Sequence, residues 1–209
     1  FPHIISTVAP FNKTYYIDVS EYLLDIEQWD LKVGVKYEPF HDHGMFISRY
    51  NLFKGKLYDH IMSDSYLSGK CLTFIGKVCE VGQRNSVIAV DDFHTMVTAV
   101  AHELGHSLGA SHDGERDAID CRAEDQYIMS AEHDPPDPKK PYSRNPWLFS
   151  RCSVRSMKQT LKDKSCVSIP GYYYNNFEYT DHIEKEAGVV FPANAQCELN
   201  NGQRSRVCE

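Results

Sequence analysis

An α/β layered domain with a mixed, twisted sheet is the fold class this sequence predicts. Three observations carry that expectation. Apolar residues recur with period two in some segments and with period 3.6 in others, and the two patterns alternate before residue 107. A short apolar run, Ser86 to Val90, reads as a buried strand. An amphipathic helical pattern follows it at once. Half of the fold is therefore expected before residue 107, with irregular structure dominating the remainder.

The elements follow in order. Ile17 to Gln28 places Val19, Tyr22, Leu23 and Ile26 on one side of a helix. Trp29 to Tyr37 alternates through Leu31, Val33, Val35 and Tyr37, a strand pattern. Leu52 to Leu67 reads as another helix and Cys71 to Ile75 as a further strand. Asp91 and Asp92 are good N-caps for the next helix, because acidic groups favour the positive helix end. Val97, Val100, Ala101, Leu104 and Leu108 recur at three and four residues, which gives that helix an apolar face to pack on the core. Residues 131–147 form a charged loop in which Pro135, Pro136, Pro138 and Pro141 exclude helix or central strand. Ser153 to Lys162 is the final helix of the domain, and Cys166 closes it.

The run His102-Glu103-Leu104-Gly105-His106-Ser107-Leu108-Gly109-Ala110-Ser111-His112-Asp113 spells H-E-x-x-H-x-x-G-x-x-H. At the chain's own composition the full string would arise by accident in roughly one sequence of this length per ten thousand. Histidines four apart share one helix face, so His102 and His106 can reach one metal ion. Gly109 can take the left-handed backbone that ends a helix and returns His112 as a third ligand. Three neutral imidazoles leave the charge of a zinc ion uncompensated and a fourth position open for water. Glu103 follows the first ligand and is the candidate general base. Zinc-dependent amide hydrolysis is the reaction class expected. A polar surface helix is the plain alternative, and the three-histidine spacing argues against it.

The string through His112-Asp113 resembles the metzincin zinc endopeptidases, and the Asp after the third His resembles their adamalysin (reprolysin) branch. That branch includes snake-venom metalloproteases and the ADAM proteases, with or without thrombospondin motifs. The resemblance implies a metzincin catalytic domain with a zinc cleft. It also implies a Met-turn, for which Met129 in Tyr127-Ile128-Met129-Ser130 is the candidate. Phe149-Ser150-Arg151-Cys152-Ser153 is similar to the segment before that family's last catalytic-domain helix. Gly188 to Cys197, running on to Val207-Cys208, is similar to the piece after the catalytic domain in the thrombospondin-motif proteases. The organisation expected is a catalytic domain over residues 1–169. An irregular, disulfide-linked extension over 170–209 would resemble the start of a disintegrin-like or cysteine-rich region. Adamalysin-type domains usually carry well over a hundred residues before the zinc helix, whereas the motif starts here at His102, so the N-terminal part reads as shortened or incomplete. The family's calcium site draws on a residue near the domain start, so Ca2+ is not supported by this sequence. Zn2+ is the cofactor implied.

Seven cysteines point to an oxidising compartment, and no C-x-x-C pair suggests thiol zinc ligation instead. By family analogy Cys79 pairs with Cys166 and Cys121 with Cys152. Cys197 and Cys208 could pair with each other, which leaves Cys71 over. Asn12-Lys13-Thr14 is a glycosylation sequon consistent with a secreted glycoprotein. At 42% hydrophobic residues the chain can build a core. The net charge is −7 and no basic run stands out, so nucleic acid is not an expected partner. Nothing approaches a membrane span and no signal peptide leads the sequence, which begins at Phe1 and so reads as a processed product.

The leading function is a secreted zinc endopeptidase acting on proteins of the extracellular matrix or plasma, as the resemblance implies. The alternative is a toxin-like binding module that acts through its C-terminal extension, with proteolysis secondary. A zinc exopeptidase is argued against by Gly109 and His112. The loop 131–147 should tune specificity, because in the relatives it walls the pocket for the residue past the cut bond. Gly171 to Tyr179 is a dense aromatic patch that would serve as an exosite or pack a tail onto the body. His41-Asp42-His43 reads as a polar turn rather than a second metal site, and His94 and His133 read as incidental.

Overall fold

The computed structural model describes residues 8–11, 14–34, 41–48, 51–53, 71–89, 93–132, 144–168, 192–201 and 204–207. The chain divides into two units, Phe1–Ile169 and Pro170–Glu209. In the first unit, strand β1 (Val8–Phe11) runs antiparallel to β2 (Thr14–Asp18), and β2 lies parallel to β4 (Asn51–Phe53). A second sheet has β6 (Asn85–Ala89) at its centre, parallel to β3 (Gly44–Ser48) and antiparallel to β5 (Cys71–Thr73). Mixed sheets and helices make this the expected α/β class. Every residue of β6 is buried, which suits a central strand covered on both faces.

Helix α1 (Val19–Trp29) starts where Asp18 caps it, the carboxylate accepting from the N–H of Ser20 at 2.8 Å and of Glu21 at 3.2 Å. It begins two residues later than its periodicity suggests, because Ile17 pairs with Leu52 as part of β2. Val19, Leu23 and Ile26 pack with Ile17, Leu52, Val87 and Ala89 in the main core. Each large side chain buried there contributes roughly 1.5–3 kcal/mol.

The strand expected over Trp29 to Tyr37 is not formed among the described residues. Trp29 ends α1, and Asp30–Gly34 continues it as a wider π turn. A buried ion pair explains the difference. The Asp30 carboxylate receives two bonds from the Arg84 guanidinium, at 2.9 and 3.0 Å, and one from the Gly82 N–H at 2.8 Å. These bonds fasten the helix end to the base of β6 and outweigh the local alternation. Burial alone would raise the Asp30 pKa, but Arg84, Gly82 and Asn85 hold it below its ordinary value. The helix expected from Leu52 is also corrected at its start, since Leu52 and Phe53 belong to β4. Residues 54–67, the rest of that segment, lie outside the described residues.

Helix α2 (Phe93–Ser107) follows β6, and its candidate caps Asp91 and Asp92 lie outside the described residues. Its apolar face is less complete than its periodicity implies: Val97 is 43% exposed. Helix α3 (Arg151–Leu161) is capped by Ser150, whose hydroxyl accepts from the Ser153 N–H at 3.1 Å. In the second unit a helix, α4 (Ala193–Asn201), stands where irregular chain was expected.

Disulfides join Cys79 to Cys166 and Cys121 to Cys152. The first spans a sequence separation of 87 residues. Closing loops of such lengths stabilises the fold by roughly 2–4 kcal/mol each, through restriction of the unfolded chain. Cys208 and the sequon residue Asn12 lie outside the described residues.

Candidate active site

Helix α2 carries His102 and His106 one turn apart, with Glu103 next to the first. It ends at Ser107, and the chain turns at Gly109, whose φ of +109° is accessible without strain to glycine alone. The Gly109 N–H bonds the His106 carbonyl at 2.8 Å, and that of Ala110 bonds the Gly105 carbonyl at 2.9 Å. The turn brings His112 back over the helix. The Nε2 of His112 lies 3.1 Å from that of His106 and 3.3 Å from that of His102.

The ring protons are set by what each Nδ1 touches. His102 Nδ1 donates to the Ile128 carbonyl and His106 Nδ1 to the Ala110 carbonyl, both at 2.7 Å. A carbonyl oxygen can only accept, so both rings carry their proton on Nδ1 and their lone pair on Nε2. Burial pushes the His106 pKa down to about 4, which keeps that ring neutral. His112 Nδ1 lies 3.6 Å from a Glu115 carboxylate oxygen, which favours the same tautomer. The Nε2 atoms of the three rings then converge, those of His102 and His106 as bare lone pairs. Nitrogens about 2.05 Å from a tetrahedral metal stand roughly 3.3 Å apart. The separations of 3.1 and 3.3 Å therefore fit a zinc ion.

Glu103 is 4% exposed, and its Oε2 has no hydrogen-bond partner among the described residues. Burial raises its pKa to about 8. An orphaned, buried carboxylate oxygen is costly unless a cation faces it, so this atom fits the same metal. Met129 is fully buried and packs with Ala110 and Ile128. A Cβ at Gly105 would lie 2.5 Å from the Met129 Sδ, so the methionine fits flush under the helix only because residue 105 has no side chain. Asp113 donates its N–H to the Met129 carbonyl at 2.9 Å. Its Oδ1 accepts from Ser150 Oγ at 2.6 Å and Ser153 Oγ at 3.5 Å. Burial still raises the Asp113 pKa against these bonds. Asp113 thus locks the third histidine to the start of α3.

The triplet His41-Asp42-His43 does not gather around one point. The His41 carbonyl accepts from Arg84 at 2.6 Å, and the Asp42 carbonyl accepts from the Cys79 N–H at 2.7 Å. His43 has a positioning place that its sequence did not reveal. Its Nδ1 lies 2.9 Å from Ser107 Oγ at the end of α2, and its Nε2 3.1 Å from Ser86 Oγ on β6. The ring ties the sheet to the helix end beside His106. Burial pushes its pKa down to about 4. A depressed histidine contributes stability that is fully present above its unfolded pKa and is lost as pH falls toward the folded one. Stability should therefore decline between about pH 6.5 and 4. Denaturant midpoints across that window should fall less steeply in His43→Gln, by up to about one bound proton; parallel curves would disprove the role.

Trp147 and Leu148 are exposed, and the Ile128 N–H bonds the Leu148 carbonyl at 3.0 Å. This bond sets the end of the 131–147 loop against the Met129 turn. Most of that loop, His133 and the aromatic patch 171–179 lie outside the described residues. Glu115 and His43 were missed from the sequence. An acid three residues after the last histidine could have found the first. No local signal marks the second.

The description "Reprolysin (M12B) family zinc metalloprotease" matches residues 18–169 of the chain. Over 197 residues, 90% of the chain, it is 27% identical to a disintegrin and metalloproteinase with thrombospondin motifs 7 of Mus musculus. Over 185 residues, 87% of the chain, it is 24% identical to a disintegrin and metalloproteinase with thrombospondin motifs 18 of Homo sapiens. A venom metalloproteinase of Olivierus martensii is 37% identical over 60 residues, 28% of the chain. The chain spans 11%, 13% and 15% of the length of these three relatives.

Proposed function

The chain belongs to the reprolysin (M12B) family of zinc metalloproteases, and from that premise we propose that it is a secreted endopeptidase cutting internal peptide bonds of extracellular proteins. His102, His106 and His112 would hold the zinc ion. The convergence of their three Nε2 atoms, with two rings fixed by backbone carbonyls, carries the reading. Bound there, zinc supplies a Lewis acid that activates water near neutral pH and stabilises a developing oxyanion.

Glu103 accepts the proton of the attacking water and passes it to the leaving amine. Its burial favours the neutral acid; a zinc ion held by the three histidines would favour the carboxylate, the form that can act as a base. The carbonyls of Ile128 and Ala110 orient the first two rings, and the Glu115 carboxylate, 3.6 Å from Nδ1, attracts that side of His112. Met129 supports the ligands from below, and Asp113 holds His112 in register with α3. Trp147 and Leu148 end the loop that selects the residue past the cut bond. Residues 1–169 form the catalytic domain and 170–209 an extension. The disulfides support secretion, since such bridges persist in oxidising compartments.

A peptide library derived from a proteome tests the proposal. The purified chain should cleave a defined subset of internal bonds. A chelator should abolish cleavage, stoichiometric zinc should restore it, and metal analysis should find one zinc per chain. Cleavage that survives removal of all metal would refute it.

A further inference from the structure

We infer that the outer face of α3 is a docking surface for a linear sulfated polysaccharide. Between Tyr142 and Lys162 the sequence carries Arg144, Arg151, Arg155, Lys158 and Lys162 and no acid, in a chain of net charge −7. The cations are not contiguous, so a search for basic runs misses them. Helical spacing gathers them instead. Positions 151, 155, 158 and 162 fall within an arc of about 60° and extend over about 16 Å of helix. All four side chains belong to exposed residues. Arg151, Val154, Arg155, Lys158 and Gln159 line a shallow depression of about 410 Å³.

The arginines are braced from one side. Arg155 Nη2 donates to the Asp117 carbonyl at 2.6 Å, and Arg151 Nη2 reaches the Asp120 carbonyl at 3.5 Å. These contacts hold the two guanidinium groups in place, so less side-chain freedom is lost when an anion binds. Of the nearby acids, Asp117 accepts from the Ser156 hydroxyl, and Asp120 stands 4.0 Å from Arg155 across a solvent-exposed gap. These two acids partly offset Arg155, whereas Arg151, Lys158 and Lys162 have no ion-pair partner among the described residues.

A rod of positive charge on an acidic protein fits a flexible polyanion whose charges repeat along its length. Guanidinium forks suit sulfate oxygens, which they can engage in pairs. The choice of sulfated polysaccharide over nucleic acid rests on the extracellular reading above. Sulfated polysaccharides outside the cell are linear polyanions whose charges repeat along the chain, which matches the stripe. The stripe lies on the opposite face of α3 from Ser153, whose hydroxyl reaches Asp113, so a bound polymer would concentrate the chain without touching the reacting atoms.

Binding is measured on the whole chain with a size-defined heparin oligosaccharide, its desulfated counterpart and single-stranded DNA of equal charge, across a salt series. The sulfated sugar should bind, and the desulfated one should not. Arg151→Ala/Arg155→Ala/Lys158→Ala should lose about tenfold or more in affinity and flatten the salt dependence by roughly one counterion per cation removed. Lys158→Gln/Lys162→Gln leaves the braced arginines alone and should lose about threefold or more. Lys32→Ala/Arg122→Ala removes as much charge as the double lysine variant from outside α3 and should change little. Cleavage of a short peptide should stay within about twofold in every variant, so failure of binding is separable from failure of catalysis. Equal loss in the control, retained binding in both stripe variants, or tighter binding of DNA would overturn the assignment.

Discussion

Glu103→Ala should lower kcat/KM on peptide substrates by about 10³–10⁴-fold while one zinc per chain is retained. The side chain is no ligand of the triad, so its loss leaves the three Nε2 donors and their carbonyl partners intact. It also removes an orphaned buried oxygen, so the variant should be no less stable than the parent despite the small void it leaves. The measurement therefore has three readouts: turnover, metal content and melting temperature. A large loss in the first with no loss in the other two identifies a proton-transfer role. Loss of metal along with activity would make Glu103 a positioning residue for the ligands. The same variant separates the two functional readings, because a toxin-like binding module would keep its full biological effect without this carboxylate.

Gly109→Ala should destabilise the domain by about 3–5 kcal/mol, from two sources that can be told apart. A Cβ at this position would lie 2.0 Å from Thr160 Oγ1 and 2.7 Å from Thr160 Cβ on α3. The backbone φ of +109° is in addition one that an L side chain rarely adopts. The melting temperature should fall by about 2–4 °C for each kcal/mol lost. Combining it with Thr160→Gly relieves the contact and leaves the backbone strain, so the double variant should recover part of the loss. Full recovery would mean that strain contributes nothing, and no recovery would mean that the collision relaxes freely. Zinc affinity should fall in parallel, because this turn alone returns His112 to the other two rings.

The candidate site was legible because its ligands lie close together in sequence. His102, His106, Gly109 and His112 obey helix and turn geometry, which spacing alone encodes. Met129 and Asp113 were legible only through resemblance, since nothing local distinguishes them from an ordinary buried methionine and a surface acid. The parts that escaped are held by distant partners. Asp30 meets Arg84 across 54 residues and His43 meets Ser107 across 64. Periodicity sees neither pair, and it assigned Trp29 to Tyr37 to a strand because the alternation of Leu31 and Val33 competed with an ion pair it could not register. The basic stripe escaped for the opposite reason: its pattern is helical, and contiguity was the wrong thing to count.

The Pro-rich segment after Met129 lies wholly between Cys121 and Cys152, which are bonded to each other. A protease that attacked its own chain within that segment would cut there without coming apart. The nicked molecule should migrate as one species until reductant is added and as two afterwards, with its three ring nitrogens on one fragment and the helix that braces them on the other. Self-digestion at that place would be a wound that the molecule survives.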